Sequence, residues 1–176
     1  NLEIEKENIE IVGAGSTTIF KGPYSSSTSA PSNNKQFIKT IKASNTTISN
    51  LQIKDFGAKK KDGGAIKIKL ETADGSTDGI QFFDVTFDNN KTDKKDGGAL
   101  YIDGDNAVNV TFTRCTFSNN SSTVGDDKKA GALYIKKNAN VLIKNSLFFW
   151  NSGKKGGVIF TKEGADLTII SSTFSD

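Results

Sequence analysis

The sequence predicts an all-β chain wound into a right-handed parallel β-helix of about five to six coils, as a single segment spanning residues 1–176. Three observations support this prediction. Two short phrases recur along the chain, the spacing between their copies varies, and alternating apolar residues fall at matching positions around each copy. Such recurrence is typical of solenoid proteins, whose stacked repeats bury a continuous core.

The first phrase is a pair of small residues followed by alanine or valine and then an aliphatic residue. Its copies are Gly63–Ile66, Gly97–Leu100, Ala130–Leu133 and Gly156–Ile159. Its glycines are Gly63, Gly64, Gly97, Gly98, Gly131, Gly156 and Gly157. Glycine tolerates positive φ and lets two backbones approach closely, so the phrase predicts a narrow corner in each coil.

The second phrase begins with phenylalanine and has asparagine three residues later. Its copies pair Phe87 with Asn90, Phe117 with Asn120 and Phe148 with Asn151, and a fourth begins at Phe174. We expect the phenylalanines to fill the core. Stacked asparagine side chains can hydrogen-bond from coil to coil, and asparagine tolerates the left-handed conformation of a sharp turn.

The spacing of the copies is irregular, since the phenylalanines follow one another after 30, 31 and 26 residues. An irregular period excludes helical repeats of fixed length and fits constant strands joined by variable loops. No stretch has the apolar periodicity of an amphipathic helix. An immunoglobulin-like sandwich is the structural alternative, but its strands do not repeat one phrase at matching positions.

The elements follow in order along the chain. Residues 1–22 alternate apolar and polar positions and predict an opening coil. Residues 23–36 contain both prolines and predict a protruding polar loop. Residues 37–56 predict a coil with Ile53 in the phenylalanine slot and Phe56 in the asparagine slot. Regular coils follow, and the last is incomplete at residue 176, so we expect the natural chain to continue.

Alignment on the two phrases places alternate residues of successive coils in inward columns. The predicted columns are Ile66-Leu100-Leu133-Ile159, Ile68-Ile102-Ile135-Thr161, Ile80-Val110-Val141-Leu167, Phe82-Phe112-Ile143-Ile169, Val85-Cys115-Ser146-Ser172 and Phe87-Phe117-Phe148-Phe174. The single cysteine, Cys115, belongs to one of these columns, and we therefore predict that it is buried.

The alternation of Gly-Gly-Ala-(Ile/Leu/Val) with Phe-x-x-Asn over about residues 48–176 resembles the polymorphic outer membrane protein family, best known from chlamydiae. In that family the repeats form autotransporter passengers, and the fold implied is a pectin-lyase-like β-solenoid. The resemblance implies a protein that is exported, displayed at the cell surface (the outer membrane in a bacterial source) and implicated in adhesion. We therefore expect a secreted or surface-exposed adhesin or structural surface protein.

The composition argues against catalysis. Histidine is absent, Arg114 is the single arginine, and no glycine-rich phosphate loop leads into Lys-Ser or Lys-Thr. We predict no catalytic residue, no metal site and no cofactor. The net charge is +3 with both signs mixed locally, so no nucleic-acid groove is predicted. Membrane contact is expected only through parts outside this segment.

Two alternatives to the adhesin stay open at this point. One is a carbohydrate-binding or carbohydrate-active β-helix resembling a polysaccharide lyase or hydrolase. The other is a purely architectural spacer or assembly subunit, which would bind no ligand. Self-association through the coil ends is a further prediction, because an open coil end leaves backbone groups unpaired.

Two surface features are candidates for binding a host-cell or surface protein or a glycan. Lysines recur before the glycine corner and should align as an edge, which we call the lysine edge: Lys94, Lys95, Lys128, Lys129, Lys154 and Lys155. Tyr101, Tyr134 and Phe160 should form an outward aromatic ladder beside Lys67. The edge predicts an anionic partner, and the ladder predicts stacking on sugar rings or on a protein. The alternatives are a solubilising edge and ordinary cross-strand packing.

Overall fold

The computed structural model describes residues 2–23, 34–70, 79–122 and 129–175. Most of the predicted protruding loop, residues 24–33, and Lys128 of the predicted lysine edge lie outside these ranges. The described residues form strands, turns and bends and contain no helix, which confirms the prediction of an all-β chain.

The first three coils have three strands each. The first coil contains β1 (Leu2–Ile4), β2 (Ile9–Val12) and β3 (Ile19–Lys21). The second contains β4 (Ile38–Ile41), β5 (Thr46–Lys54) and β6 (Gly57–Ala58). The third contains β7 (Ile66–Lys69), β8 (Ile80–Asp88) and β9 (Lys91–Thr92).

In the later coils the long middle strand is divided in two. The fourth coil contains β10 (Leu100–Gly104), β11 (Asn109–Thr113), β12 (Thr116–Ser118) and β13 (Ser121–Ser122). The fifth contains β14 (Leu133–Lys137), β15 (Asn140–Lys144), β16 (Leu147–Phe149) and β17 (Ser152–Gly153). The sixth contains β18 (Ile159–Lys162), β19 (Asp166–Ile170) and β20 (Thr173–Ser175).

Equivalent strands of successive coils pair in parallel and build three sheets. The first sheet has the order β1-β4-β7-β10-β14-β18, and the third has the order β6-β9-β13-β17. In the second sheet β2 and β3 both pair with β5, and β5 pairs with β8. From β8 the sheet continues as two rows, one through β11 and β15 to β19 and the other through β12 and β16 to β20. Paired strands are always one full coil apart in the sequence, so the chain is a parallel β-helix.

The pairing register confirms the inward columns predicted from the sequence. Leu100 pairs with Ile66 on one side and with Leu133 on the other. Phe117 likewise lies between Phe87 and Phe148. The prediction for the less regular second coil is also confirmed, because Ile53 pairs with Phe87 in the phenylalanine slot.

Stacked phenylalanines fill the coil interior. The ring centroid of Phe117 lies 4.9 Å from that of Phe87 and 4.5 Å from that of Phe148, and the ring planes are within 10° of parallel. Phe82 and Phe112 form a second stack at 4.9 Å. All five side chains are fully buried. Burial of a phenylalanine contributes roughly 1.5–3 kcal/mol, so these stacks are a main source of stability.

The glycine corner uses its two glycines for different purposes. Gly63 and Gly97 have φ of +73° and +75°, which L side chains rarely adopt. The second glycine of the phrase, Gly64 or Gly98, has ordinary φ, but its Cα lies close to the backbone of the next coil. A Cβ on Gly98 would lie 1.9 Å from the carbonyl oxygen of Gly131. Ala130 takes the first position in the fifth coil with φ of +60°.

The asparagines form a buried ladder along the stack, as predicted. Asn90 Nδ2 donates to Asn120 Oδ1 at 3.1 Å, and Asn120 Nδ2 donates to Asn151 Oδ1 at 2.9 Å. The backbone N–H of Phe56 donates to Asn90 Oδ1 at 3.1 Å, which confirms Phe56 in the asparagine slot. The ladder therefore links the second coil to the fifth.

The prediction that these asparagines adopt the left-handed conformation is wrong. Positive φ occurs one residue earlier, at Asp55, Asn89, Asn119 and Trp150, with values from 51° to 59°. The preceding residue makes the sharp turn, and this turn swings the following side chain into the interior. The ladder asparagine is therefore selected for its amide group and not for its backbone tolerance.

Candidate binding face

The outer face of the first sheet carries two columns of side chains, which we call the ladder face. Residues alternate between the two sides of a strand, so the neighbours of the inward aliphatic residues point outward. The pairing register of β7, β10, β14 and β18 defines both columns. They are Lys67-Tyr101-Tyr134-Phe160 and Lys69-Asp103-Lys136-Lys162.

The predicted aromatic ladder is present and well stacked. The Tyr101 and Tyr134 centroids are 5.2 Å apart with planes at 12°, and those of Tyr134 and Phe160 are 5.7 Å apart at 3°. The expected exposure is wrong for the two tyrosines, which are 7% and 5% exposed, whereas Phe160 is half-buried. The rings pack against one another and against Ala130 outside the main core. Little of their ring surface is open to a sugar.

Lysine side chains flank the ladder. Lys67 Nζ and Lys136 Nζ lie 5.4 and 5.5 Å from the Tyr101 centroid. Lys129 Nζ lies 6.0 Å from the Tyr134 centroid and 5.7 Å from that of Phe160. These distances are in the range of cation–π attraction. Lys129 belongs to the predicted lysine edge, so the structure joins the edge and the ladder into one surface.

The second column belongs to an ion cluster that the sequence analysis missed. Asp103 is only 4% exposed, and its carboxylate lies 3.2 Å from Lys136 Nζ and 3.4 Å from Lys137 Nζ. Asp105 pairs with Lys137 and, at 3.3 Å, with Lys69. The signal was available, because Lys136 follows Tyr134 by two residues and must share its face.

The protonation of this cluster follows from its contacts. The hydrogen bond from Lys137 holds the pKa of the Asp105 carboxyl below its usual value. Burial acts to lower the pKa of Lys136, but the hydrogen bond and charge of Asp103 outweigh it and raise that pKa. Burial also raises the pKa of Tyr101 and of Tyr134. At neutral pH the ladder face therefore holds neutral tyrosines beside the charged Lys136 and Asp105.

The lysine edge lies at the corner before the glycine phrase. Lys94, Lys95, Lys154 and Lys155 are exposed, and Lys129 is half-buried. Lys129 and Lys155 are paired as neighbours in adjacent coils. The alignment is mixed in sign, because Asp96 takes the position in the fourth coil that Lys129 takes in the fifth. Asp96 accepts the Lys129 backbone N–H at 2.9 Å.

A cleft of about 340 Å³ opens beside the ladder face at the third coil. Lys42, Lys67 and Lys69 line it together with Thr40, Leu70 and Asn106. Lys42 lies 3.1 Å from Glu3 and 2.7 Å from Glu5, so acidic groups of the first coil balance part of this charge. The cleft extends the cationic surface toward the first coil.

Comparison with known proteins identifies the family of this chain. A family model described as a right-handed β-helix region matches residues 6–174. The chain belongs to this family. The match confirms the predicted right-handed parallel β-helix. Searches of the curated proteins and of the solved structures found no match.

Three further observations concern the described residues. Within residues 2–23, 34–70, 79–122 and 129–175, no group of three or more His, Cys, Asp or Glu side chains could hold a metal ion. The same residues contain no helix that is long and apolar enough to span a membrane. The buried Cys115 thiol has its pKa raised to about 12 by burial, which makes it a poor nucleophile.

Proposed function

We propose that this right-handed β-helix is a non-catalytic surface-exposed or secreted passenger, and that it acts as an adhesin by binding an acidic glycan. The binding surface is the lysine edge together with the ladder face. The observation that carries the proposal is the position of Lys129, whose Nζ lies against Tyr134 and Phe160 while its backbone neighbours Lys155. Through this residue the lysine edge meets the ladder face.

The stacking of the coils makes this surface suited to a polymer. Neighbouring parallel strands lie about 4.8 Å apart, so residues at one corner repeat at that interval along the rod. Lys94, Lys95, Lys154 and Lys155 are exposed at the corner of the fourth and sixth coils. A linear polyanion can contact several coils at once, and such multivalent contact strengthens binding without any single tight site.

The charge pairing on the ladder face supports a binding role over hydrolysis. Glycoside hydrolysis uses two carboxyl groups that flank the scissile bond as acid and base or nucleophile. Asp103 and Asp105 both pair with lysines, and the pKa of Asp105 is lowered. A lowered pKa opposes action as a general acid near neutral pH.

Glycan binding is tested with four substitutions and a matched control. The edge variant is Lys94→Gln, Lys95→Gln, Lys154→Gln and Lys155→Gln. The control changes four lysines of the first coil and the second sheet, Lys6, Lys21, Lys54 and Lys144, to glutamine. Both variants lose the same charge. We expect the unmodified chain and the control to bind immobilised polygalacturonate or heparin, and the edge variant to bind roughly tenfold more weakly or worse.

Three outcomes would contradict the proposal. Equal loss in the edge variant and the control would mean that only net charge matters. Absence of binding to any acidic or neutral glycan or to cells would favour the architectural spacer. Release of reducing ends or unsaturated products from a polysaccharide by the purified chain would favour the carbohydrate-active alternative.

The resemblance to polymorphic outer membrane proteins supports display at the cell surface as an autotransporter passenger. The matching residues include Gly97–Leu100 and Phe117–Asn120. Surface display is tested by antibody labelling of intact and permeabilised source cells. Equal labelling of both supports display, and labelling that requires permeabilisation contradicts it.

A further inference from the structure

The turn between the second and third sheets carries an exposed tryptophan in the fifth coil. Trp150 is the single tryptophan of the chain, and its side chain is 63% exposed. Phe149 beside it pairs with Ser175 of the sixth coil, so the next coil is already in place along this strand. A large apolar side chain left in water on the side of the rod is an informative feature, because such surface often marks a binding site.

The backbone at this turn suits other residue types better than tryptophan. Positive φ recurs at the same turn in four coils, and the other three coils have Asp55, Asn89 and Asn119 there. Asparagine and aspartate adopt this left-handed conformation several-fold more often than other residues, whereas it is a true outlier for a bulky side chain. Trp150 adopts it with φ of 53°. On backbone grounds asparagine would therefore fit this turn better.

Packing does not explain the tryptophan either. A side chain stabilises a fold mainly through the apolar surface that it removes from water, and most of the Trp150 side chain stays in water. Its ring contacts that of Phe149, with a centroid distance of 5.1 Å and an interplanar angle of 79°. Phe149 is itself outward, at the position where the fourth coil has Ser118. Backbone strain of this kind clusters at sites that bind ligands.

We propose that Trp150 and Phe149 form a stacking platform for one sugar ring of a glycan, which we call the aromatic platform. This inference rests on the proposed function, since the glycan is the one that the lysine edge binds. The C–H face of a pyranose ring is apolar and weakly positive, and the face of an indole is negative, so the two attract each other. Contact with Phe149 restricts the indole, and its exposure leaves ring surface for the ligand.

The aromatic platform adjoins the lysine edge along the chain. Lys154 follows Trp150 by four residues, which span about 14 Å at most, because an extended chain rises by roughly 3.3–3.6 Å per residue. Lys154 is exposed, so one glycan chain can stack on the indole and bring an acidic group to this lysine. Ser152 of β17 and Asn119 of the fourth coil are also exposed. Hydroxyl and amide groups of this kind pair with sugar hydroxyls.

The size of the aromatic platform favours a sugar over a protein partner. Two aromatic side chains bury about 500 Å² at most, whereas a specific protein interface covers roughly 800 Å² on each partner. A sugar ring needs less surface, and it combines an apolar face with hydroxyl edges. The neighbours of the platform match this combination, because Asn119, Ser152 and Lys154 are polar or charged.

The aromatic platform contains its own reporter for the test. Tryptophan fluorescence comes from Trp150 alone, so a ligand stacked there must change the emission and its quenching by acrylamide. The probes are oligogalacturonate and its methyl ester, which has the same rings without the charge. Trp150→Asn introduces the residue type of the third and fourth coils at this turn. Leu147→Thr is the control, since it replaces another exposed apolar residue of the same coil by the type found at Thr116.

We expect oligogalacturonate to shift the Trp150 emission and to protect the indole from acrylamide. The methyl ester should give the same shift at saturation with weaker affinity, because it lacks the contact with the lysine edge. In calorimetric titrations Trp150→Asn should bind oligogalacturonate roughly tenfold more weakly, and Leu147→Thr should bind it like the unmodified chain. The urea midpoint of Trp150→Asn should equal or exceed that of the unmodified chain, which a merely structural tryptophan would not allow.

Three results would overturn the aromatic platform and leave binding at the lysine edge intact. Oligogalacturonate that binds without any change in emission does not touch Trp150, and this measurement decides the matter even if a variant fails to fold. Trp150→Asn with unchanged affinity and a lower urea midpoint would show that the indole serves stability. An equal loss of affinity in Leu147→Thr, or a dimer that Trp150→Asn abolishes, would assign this surface to a protein partner or to a second copy.

Failure of the proposed function gives a different pattern. If the lysine-edge variant keeps its affinity while Trp150→Asn loses it, the lysine edge is wrong and the aromatic platform stands. If neither oligogalacturonate nor its methyl ester binds to the unmodified chain, both are overturned.

Discussion

At the scale of single residues, the position of Cys115 in an inward column determines the contacts and the reactivity of its thiol. Its backbone N–H donates to Ser146 Oγ at 3.1 Å, and its thiol donates to the Phe82 carbonyl at 3.5 Å. Ser146 makes the same contact to Ser172 Oγ, at 3.0 Å, in the next coil. A small side chain with a donor suits this corner, and cysteine and serine both provide one.

We predict that the Cys115 thiol reacts only through unfolding. Burial raises its pKa to about 12, so the native thiol stays protonated at pH 8. Reaction with a thiol reagent should be roughly 10³-fold slower or more than in urea, since the unfolded fraction is that small. Absorbance of the released thiolate measures the rate. Ser16→Cys in a Cys115→Ser background is the exposed control, and it should react at once. A native Cys115 that reacts equally fast would contradict the prediction.

Asn120 is the central residue of the asparagine ladder, and its loss should be costly. Its Nδ2 donates to the Phe87 carbonyl and to Asn151 Oδ1, both at 2.9 Å, and its Oδ1 accepts from Asn90. An unsatisfied buried group costs roughly 1–3 kcal/mol. We expect Asn120→Ala to lower the free energy of unfolding by about 3–5 kcal/mol in urea titrations.

The control for the ladder is an exposed asparagine pair. Asn140 Nδ2 donates to Asn109 Oδ1 at 3.1 Å on the surface. Asn140→Ala should change the free energy of unfolding by about 0.5 kcal/mol or less. A similar loss in both variants would mean that the buried ladder contributes no more than a surface contact.

At the scale of elements, the glycine corner offers a matched pair at the same position of two coils. A Cβ on Gly98 would lie 1.9 Å from the Gly131 carbonyl oxygen, whereas a Cβ on Gly157 meets nothing within 4 Å. Gly98→Ala should therefore separate adjacent coils and destabilise by about 4 kcal/mol or more, and Gly157→Ala should be neutral within about 0.5 kcal/mol. Urea unfolding of both variants measures the difference. Equal effects would show that close approach does not determine the choice of glycine.

The strands and their register could be predicted because like residues must stack on like. A shift of one residue would turn every inward side chain outward, so Phe87, Phe117 and Phe148 fix the alignment of their whole coils. The sharp turn at Asn89 and Trp150 could not be predicted in this way. A tryptophan there has φ of 53°, and its type gives no sign of a left-handed turn, which bulky residues rarely adopt.

The candidate site was predicted less completely than the fold. The alternation of inward and outward residues determines which side chains of a strand point outward, but it does not show which other side chains cover them. Tyr101 is buried because Tyr134 stacks on it and the side chains of Lys67 and Lys136 reach over its ring. Long lysine stems cover apolar surface while their charges stay in water. Such coverage depends on side-chain conformation, which the sequence pattern does not contain.

At the scale of the whole molecule, stability should fall in alkaline solution. Unfolded tyrosines ionise near pH 10, whereas burial raises the pKa of Tyr101 and Tyr134 in the folded chain. Above about pH 10 the folded state therefore binds more protons than the unfolded state. The stability from this source is complete below pH 10 and decreases as the pH rises further.

Urea titrations between about pH 8 and 11.5 measure this loss, and absorbance at 295 nm follows tyrosine ionisation. Lysines with raised pKa, such as Lys136, lose their contribution in the same direction. The double variant Tyr101→Phe and Tyr134→Phe separates the two sources, because it should keep the lysine part and lose the tyrosine part. An identical pH profile for the double variant would contradict the assignment to the tyrosines.

The asparagine ladder also allows the length of the β-helix to change by whole coils. Asn90 and Asn120 hold the same place in consecutive coils and accept the same backbone contact. Excision of residues 90–119 would join Asn89 to Asn120 and leave Phe56 facing an equivalent amide. Gain or loss of such a unit changes the length of the rod by about 4.8 Å. A lineage can thus tune how far the protein extends by recombination alone.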